Sequence, residues 1–191
     1  VYKRQVLWSA GGMTGIARAM EFLALSLYAL QELGLPYLVT IIFAARMLPM
    51  SLLGIIIGTI SERISPLLLI KIIYSLSNIF TATSVILVIT NYFNIYFAFT
   101  LAFINGITWV VDLAVRRRVL AESIKKNLLS SSLAMETLSN NATRLIGPLF
   151  AGSLYTFVGL SGIFCLQLLM YILALGLILR FKDNTNKNHF L

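Results

Sequence analysis

The chain has 191 residues, of which 59% are hydrophobic and only 12% are charged, and its formal net charge is +8. Soluble globular proteins carry about 25% charged residues, so this composition excludes a water-soluble domain with an ordinary charged surface. An excess of Lys and Arg suggests nucleic-acid binding in a soluble protein. In a membrane protein, the same excess is typical of short cytoplasmic loops.

Six apolar stretches, separated by turns rich in Gly, Pro, Asn or charge, follow one another along the chain. They cover residues 8–31, 37–60, 67–90, 95–115, 128–157 and 162–179. About 20 helical residues cross the hydrocarbon core of a bilayer, so each stretch is long enough or nearly so. We therefore predict an all-α membrane protein whose six transmembrane helices occupy residues 1–180, with a polar tail or linker at 181–191.

The positive charges predict that both chain ends are cytoplasmic. Twelve of the 15 Lys and Arg residues lie in or next to the segments that this orientation places inside. The other three, Arg18, Arg46 and Arg144, lie within the spans, and none falls in the three outside turns. This one-sided distribution follows the positive-inside rule. It explains the net charge without nucleic acid, which we do not expect as a partner.

Five ionisable side chains lie well inside the predicted spans, Arg18, Glu21, Arg46, Glu136 and Arg144, whereas Lys71 and Asp112 lie close to span ends. Each costs at least about 2.5–3.5 kcal/mol at the centre of a membrane helix, so we expect them to face the bundle interior or a water-filled cavity. Arg18 and Glu21 are three residues apart and share a helix face, where they can pair. Glu21 and Arg144 are both at mid-depth and meet if the first and fifth spans are neighbours.

These charges predict a polar cavity for substrate and protons. Glu21 is the carboxylate best placed to gain and lose a proton there, and Asn140 or Asn141 adds a polar group one turn before Arg144. For Arg46 and Glu136, a structural pair that holds helices together is an equally open interpretation. The residues assigned to the cavity are Glu21, Arg144, Asn141, Arg18 and Arg46.

A first motif lies between the second and third spans, where residues 54–65 read Gly-Ile-Ile-Ile-Gly-Thr-Ile-Ser-Glu-Arg-Ile-Ser. It resembles the signature loop of the major facilitator superfamily, Gly-x-Leu-Ala-Asp-Arg-x-Gly-Arg-Arg. Gly58 and Arg63 match, Glu62 stands in for the Asp, and the final basic pair is missing. The resemblance implies a cytoplasmic latch of Gly58, Glu62 and Arg63, with Asp112 as the partner of Arg63. The alternative is an ordinary turn that carries a positive charge.

A second motif lies in the fifth span, where residues 144–152 read Arg-Leu-Ile-Gly-Pro-Leu-Phe-Ala-Gly. It resembles the Gly-Pro-x-x-Gly-Gly motif of the antiporter branches of that superfamily, with Gly147, Pro148 and Gly152 matching. Small residues and Pro give a bent helix that packs closely, which a kinked helix in any bundle would also show. Residues 43–49 and 105–152 are similar to exporters of the macrolide and siderophore type.

The resemblance covers the first half of a superfamily member. Those transporters have twelve spans in two halves, and each half consists of two inverted three-helix repeats. The resemblance implies proton-coupled efflux of small amphipathic molecules by alternating access. It also implies a second six-helix half, or another copy of this chain, as partner. The chain begins with Val1 rather than Met, which fits a fragment of a longer protein.

Two functions of other classes compete with transport. An intramembrane enzyme needs Ser/His, paired Asp or a metal-binding set at membrane depth, and the spans contain no His and no pair of Asp residues. We therefore predict no enzymatic activity and no cofactor. A non-transporting assembly or scaffold protein stays open. In each case we expect the protein in a lipid bilayer, the bacterial cytoplasmic membrane.

Overall fold

The computed structural model describes residues 2–123 and 126–179. These residues form helices and short connections without a strand, and five stretches are long and apolar enough to cross a membrane. The predicted tail at 181–191 and the exact end of the predicted domain lie outside the described residues. The helices are α1 (Tyr2–Leu27), continued by a π-helical turn (Tyr28–Glu32), α2 (Tyr37–Arg63), α3 (Pro66–Ile89), α4 (Ile95–Ser123) and α5 (Lys126–Leu179).

Turn residues end the helices close to the predicted positions. Gly34, after α1, and Asn91, after α3, have φ angles of 63° and 58°, in the left-handed region that Gly and Asn tolerate best. Ser65 is extended, with ψ at 133°, and Pro66 follows at the first position of α3. Pro disfavours the helical conformation for the residue before it, whereas Pro itself fits the first helical turn.

The fourth helix is longer than the predicted fourth span, which ends at residue 115, because α4 continues to Ser123. Arg, Leu, Ala and Glu, which make up most of this stretch, are good helix formers. Their charge predicts a loop, but their high helix propensity favours the helix that is observed. As a result, Arg116 lies on a helix and points its side chain into the bundle, where it is buried.

The helix α5 covers both of the last two predicted spans, and it is interrupted at Gly159. There φ is 68° and ψ is −163°, a conformation that only Gly adopts without steric cost. We call residues 126–158 the first arm and residues 160–179 the second arm. The corresponding membrane candidate, Ala134–Leu179, is 46 residues long, about twice what a single crossing requires.

The two arms contact α1 in opposite chain order. In the first arm, Thr143 lies against Gly15 and Gly147 lies against Ala19, so this arm runs parallel to α1. The contacts of the second arm run the other way along α1. Its start joins the cluster of Ala29, its centre reaches Glu21, and its end joins the cluster of Ala10. The chain therefore reverses direction at Gly159.

The core consists of two apolar clusters with polar side chains between them. One cluster contains Met20, Ala24 and Leu25 of α1, and the other contains Ala10. Thr14 and Arg18 lie between the two on α1 and are buried. The same order holds on α4, where buried Asn105 and Thr108 separate the two clusters. These polar groups are enclosed by helices rather than exposed to lipid, as their desolvation cost requires. Partly or fully exposed apolar side chains cover the outer surface of α2, α3 and α5.

Two glycines allow helices to cross at short distance. A Cβ atom at Gly106 of α4 would overlap the backbone oxygen of Arg46 on α2, and one at Gly147 would meet the Ala19 side chain and lie 2.9 Å from the Ile16 oxygen. Small residues at such crossings are typical of membrane helices, which gain packing energy from close approach.

We predict that Gly106→Ala and Gly147→Ala each destabilise the protein by about 1–3 kcal/mol, because the added methyl group overpacks a backbone contact. Gly176→Ala is the matched control, since a Cβ at Gly176 meets nothing within 4 Å. The difference is measured as the melting temperature in detergent, with size-exclusion chromatography as the readout of folded protein. Equal melting temperatures for the three variants would contradict the close crossings.

Candidate functional site

A cluster of buried charges is centred on Asp112 of α4. Arg18 of α1 donates from Nη2 to Asp112 Oδ2 at 2.6 Å, and Arg116 donates from Nε to Asp112 Oδ1 at 3.2 Å. The Tyr74 hydroxyl of α3 also donates to Asp112 Oδ1, at 3.2 Å. All four side chains are buried. One carboxylate therefore joins three helices and accepts three hydrogen bonds, two of them from guanidinium groups.

Local sequence explains how this cluster assembles. Asp112 and Arg116 are four residues apart on α4, the spacing at which side chains of one helix face meet. The Arg116 guanidinium occupies the space beside Gly11, where any Cβ atom would overlap it. Thr14, one turn after Gly11, contacts two of the three neighbours of the carboxylate, receiving a hydrogen bond from Arg18 at 3.4 Å and lying 3.4 Å from the Tyr74 hydroxyl. Small and short polar residues of α1 thus make room for two arginines.

This arrangement differs from the predicted grouping of residues. Arg18 was expected in the cavity, and Asp112 was expected in the cytoplasmic latch, but the two form one ion pair. Arg18 accordingly pairs across the bundle rather than with Glu21. Gly58, Glu62 and Arg63 lie on α2, and their surroundings fall outside the described part of the structure.

Glu21 forms the second polar centre. Its side chain is 3% exposed, and its Oε2 accepts a hydrogen bond from Nε2 of Gln167 on the second arm of α5. Asn105 and Tyr171, both buried, lie beside the same carboxylate. Among the described residues no ion pair within 4 Å involves Glu21. The carboxylate is therefore surrounded by neutral polar groups, with the charges of Arg46 and Arg18 acting from a longer distance.

The third polar centre is a group of two arginines on one indole ring, which we call the Arg-Trp-Arg patch: Arg46 of α2, Trp109 of α4 and Arg144 of α5. The guanidinium carbon of Arg144 lies 4.7 Å from the Trp109 ring centroid, and that of Arg46 lies 5.5 Å from it. Arg46 also lies 5.4 Å from the Phe22 ring and donates to the Arg18 backbone oxygen at 3.3 Å. Arg144 thus meets Trp109, while Glu21 meets Gln167.

The protein contacts of this patch do not compensate its two positive charges. An Arg at the centre of a membrane helix costs at least about 2.5–3.5 kcal/mol, whereas a cation–π contact returns about 0.5–2 kcal/mol. Within residues 2–123 and 126–179, neither Arg46 nor Arg144 forms an ion pair, and Nε of Arg46 is buried without a hydrogen-bond partner. Arg144 and Asn141, one turn apart on α5, are exposed. The patch therefore opens to the surface of the helix bundle.

A cavity of about 240 Å³ lies between α1 and the first arm of α5, next to Arg116. Glu136 lines it, is 4% exposed and has no hydrogen-bond partner for Oε1, as is also true of Nη2 of Arg116. Asn140 faces this cavity, whereas Asn141 does not line it. Its lining residues are Trp8, Ser9, Gly11, Gly12, Arg116, Glu136, Ser139, Asn140 and Thr143.

The antiporter-like motif lies where the first arm packs on α1. Gly147 is in contact with Ala19. A Cβ atom at Gly152 would lie 3.9 Å from Cδ2 of Leu23. Pro148 lies inside the helix between them. The motif therefore positions the turn that carries Arg144, three residues before Gly147.

Several residues of these centres were not found by sequence reasoning. Trp109 and Tyr74 look like ordinary aromatic residues of membrane helices, and Arg116 looked like a loop charge. Gln167 did carry a signal, because an amide within an apolar span needs a hydrogen-bond partner in the bundle. The described ranges contain no group of three or more His, Cys, Asp or Glu side chains arranged to hold a metal ion.

A family model described as transmembrane secretion effector matches residues 4–191. Neither the curated proteins nor the solved structures include a match to this chain.

We predict that Asp112→Asn destabilises the protein by about 3–5 kcal/mol, because it leaves two buried guanidinium groups without their anion. Arg18→Gln should cost less, since the Arg116–Asp112 pair survives. Thermal unfolding in detergent measures both variants against the parent. A parent-like Asp112→Asn variant would show that the cluster does not support the fold.

Proposed function

Because this chain belongs to the transmembrane secretion effector family of the major facilitator superfamily, we propose that it acts as one six-helix half of a proton-coupled exporter. The proposed substrates are small amphipathic molecules. The half works by alternating access together with a second six-helix half or another copy of the chain. The observation that carries this proposal is the pair of unlike carboxylates at membrane depth, Glu21 and Asp112.

Glu21 is suited to carry a proton because its bonded partners are neutral. Protonation of a carboxylate that is held by Gln167 and Asn105 breaks no ion pair within hydrogen-bonding distance. Asp112 has the opposite surroundings, since its protonation would leave Arg18 and Arg116 without a counter-charge. In the proposal, Glu21 takes up and releases the coupling proton, while Asp112 keeps the helices in place.

In this proposal, the substrate contacts lie at the Arg-Trp-Arg patch and its surroundings, where the patch opens to the surface of the helix bundle. Arg46, Asn141 and Arg144 provide polar groups there, and Trp109 and Phe22 provide aromatic surface. Ligand sites combine mostly apolar walls with a few oriented polar groups, which is the composition of this region. Arg18 supports the site through its backbone oxygen, which accepts a hydrogen bond from Arg46.

We further propose six crossings, arranged as two inverted three-helix repeats, with both chain ends in the cytoplasm. The support is the opposite chain order in which the two arms of α5 contact α1, together with the one-sided distribution of Lys and Arg. On the cytoplasmic side, Gly58, Glu62 and Arg63 are proposed to form a latch on the strength of their motif. Asp112 anchors the adjacent end of α4 for that latch.

Proton coupling predicts a specific effect of Glu21→Gln. In liposomes that contain the intact gene product, the variant should lose dye flux driven by a pH gradient and keep dye exchange without a gradient. Ethidium, a cation, and 8-anilinonaphthalene-1-sulfonate, an anion, are suitable dyes. Glu32→Gln is the control, because Glu32 is an exposed carboxylate at the end of the π-helical turn.

Two results would overturn parts of this proposal. Gradient-driven flux through Glu21→Gln at the parent rate would exclude Glu21 as the proton carrier. Absence of flux for dyes of either charge in the parent protein would contradict transport of amphipathic molecules.

Six crossings predict which single cysteines react from outside the cell. Cys165 is the only native cysteine, so a Cys165→Ser background allows one cysteine at a time. A membrane-impermeant maleimide should label Leu35→Cys, Asn91→Cys and Ser161→Cys in intact cells. It should label Ser65→Cys only after the cells are opened. Labelling of Ser65→Cys in intact cells, or none at Ser161→Cys, would contradict the proposed topology.

A further inference from the structure

We infer that the Arg-Trp-Arg patch binds the anionic group of an aromatic amphipathic substrate. This inference rests on the proposed function and names the charge class of the molecule that is carried. It follows from which charges the protein compensates internally and which it leaves uncompensated.

The carboxylates near the patch are already engaged. Asp112 is bound by Arg18, Arg116 and Tyr74, and Glu21 is bound by Gln167 in the buried centre. Neither carboxylate reaches Arg46 or Arg144 as an ion pair. Within the described part of the chain, neither guanidinium group of the patch has an anion at ion-pair distance, so both can receive one from a ligand.

The geometry of the patch is suited to a sulfonate, carboxylate or phosphate attached to an aromatic ring system. Two guanidinium groups flank one indole ring at 4.7 Å and 5.5 Å, and guanidinium forks match the paired oxygens of such anions. Nε of Arg46 is buried and has no partner, so the hydrogen-bonding capacity of this guanidinium group is not met within the protein.

The surroundings of the patch complete an amphipathic site. Phe22 and Phe43 form an edge-to-face pair 5.8 Å apart, and Phe22 is also one of the rings beneath Arg46. Asn141, exposed one turn before Arg144, adds a neutral polar group. An aromatic body can therefore lie against the rings of α1 and α2 while its anionic group reaches the arginines.

The close crossing at Gly106 sets this arrangement. Gly106 permits the backbone of α2 to approach α4 at Arg46, and Trp109 lies three residues later on the same face of α4. The crossing brings Arg46 to the indole ring from one side. The packing of Gly147 on α1 brings Arg144 to it from α5.

The test compares two probes with the same aromatic skeleton. These are 8-anilinonaphthalene-1-sulfonate and N-phenyl-1-naphthylamine, which lacks the sulfonate. The chain has two Trp residues, so a Trp8→Phe variant in phosphatidylcholine nanodiscs leaves Trp109 as the only donor when Trp is excited selectively over Tyr. Energy transfer from Trp109, corrected for probe in empty nanodiscs, should saturate for the sulfonate with an affinity at least about tenfold tighter than for the neutral probe.

Charge-removing variants then locate the site. In the Trp8→Phe background, Arg46→Gln and Arg144→Gln should each weaken sulfonate binding by about tenfold and leave the neutral probe unchanged. Arg117→Gln is the matched control, because it removes the same charge from an exposed position elsewhere on α4. If a variant fails to fold, displacement of the sulfonate from the Trp8→Phe protein decides, with octyl sulfate expected to compete at least about tenfold better than octyltrimethylammonium.

Three results would overturn the inference. They are equal affinity for the two probes, Arg46→Gln and Arg144→Gln variants that bind like Arg117→Gln, and equal competition by the two detergents. The flux assay separates this failure from that of the proposed function. Transport of ethidium without transport of the sulfonate would refute an anionic substrate and leave proton-coupled export standing.

Discussion

The cost of placing charge inside a membrane determines how this bundle is organised. Asp112 forms ion pairs with both Arg18 and Arg116. The same carboxylate joins α1 to α4, and the hydrogen bond from Tyr74 adds α3 to the cluster. The cluster lies beside the apolar cluster that contains Ala10 and Val115. If either the charged cluster or the neighbouring apolar cluster were removed, the other would lose the side chains that enclose it. The remaining polar groups of the bundle are arranged around this fixed point.

The three polar centres differ in what they leave unsatisfied. Around Asp112 both guanidinium groups have an ion-pair partner, which suits a structural role. Around Glu21 the partners are neutral amides and a phenol, which suits a group that changes its charge. At the Arg-Trp-Arg patch the positive charges are in excess and partly exposed, which suits a ligand. The proposed proton-coupled transport uses all three properties, and each has a separate location in the bundle.

The sequence was sufficient for the features that depend on composition and on local geometry. Long apolar runs predicted the membrane helices, and Gly34, Asn91 and Pro66 mark where the helices end or begin. Two motifs were sufficient for the superfamily. In contrast, the partners of the buried charges depend on which helices are neighbours, and helix spacing alone does not determine this. Arg18 could pair with Glu21 by spacing, yet Asp112, 94 residues away, binds it.

Arg116 illustrates a different limit of sequence reasoning. Three consecutive arginines are typical of a cytoplasmic loop, so the first of them was placed outside the membrane. Because α4 continues to Ser123, the first arginine is carried to the inner face of the helix, while Arg117 is exposed. A hydropathy boundary does not distinguish these neighbours, but helical geometry separates their side chains by about 100°.

The proposed transport requires that the face of α5 carrying Asn141 and Arg144 borders a water-filled passage, while its other exposed side faces lipid. Cysteines at Asn141 and Ala142, introduced singly into the Cys165→Ser protein, test this directly. The two positions have the same depth, both are exposed, and they point about 100° apart. A charged, water-soluble thiosulfonate should modify Asn141→Cys about tenfold faster than Ala142→Cys, or more. Equal rates, or faster reaction at Ala142→Cys, would contradict the account.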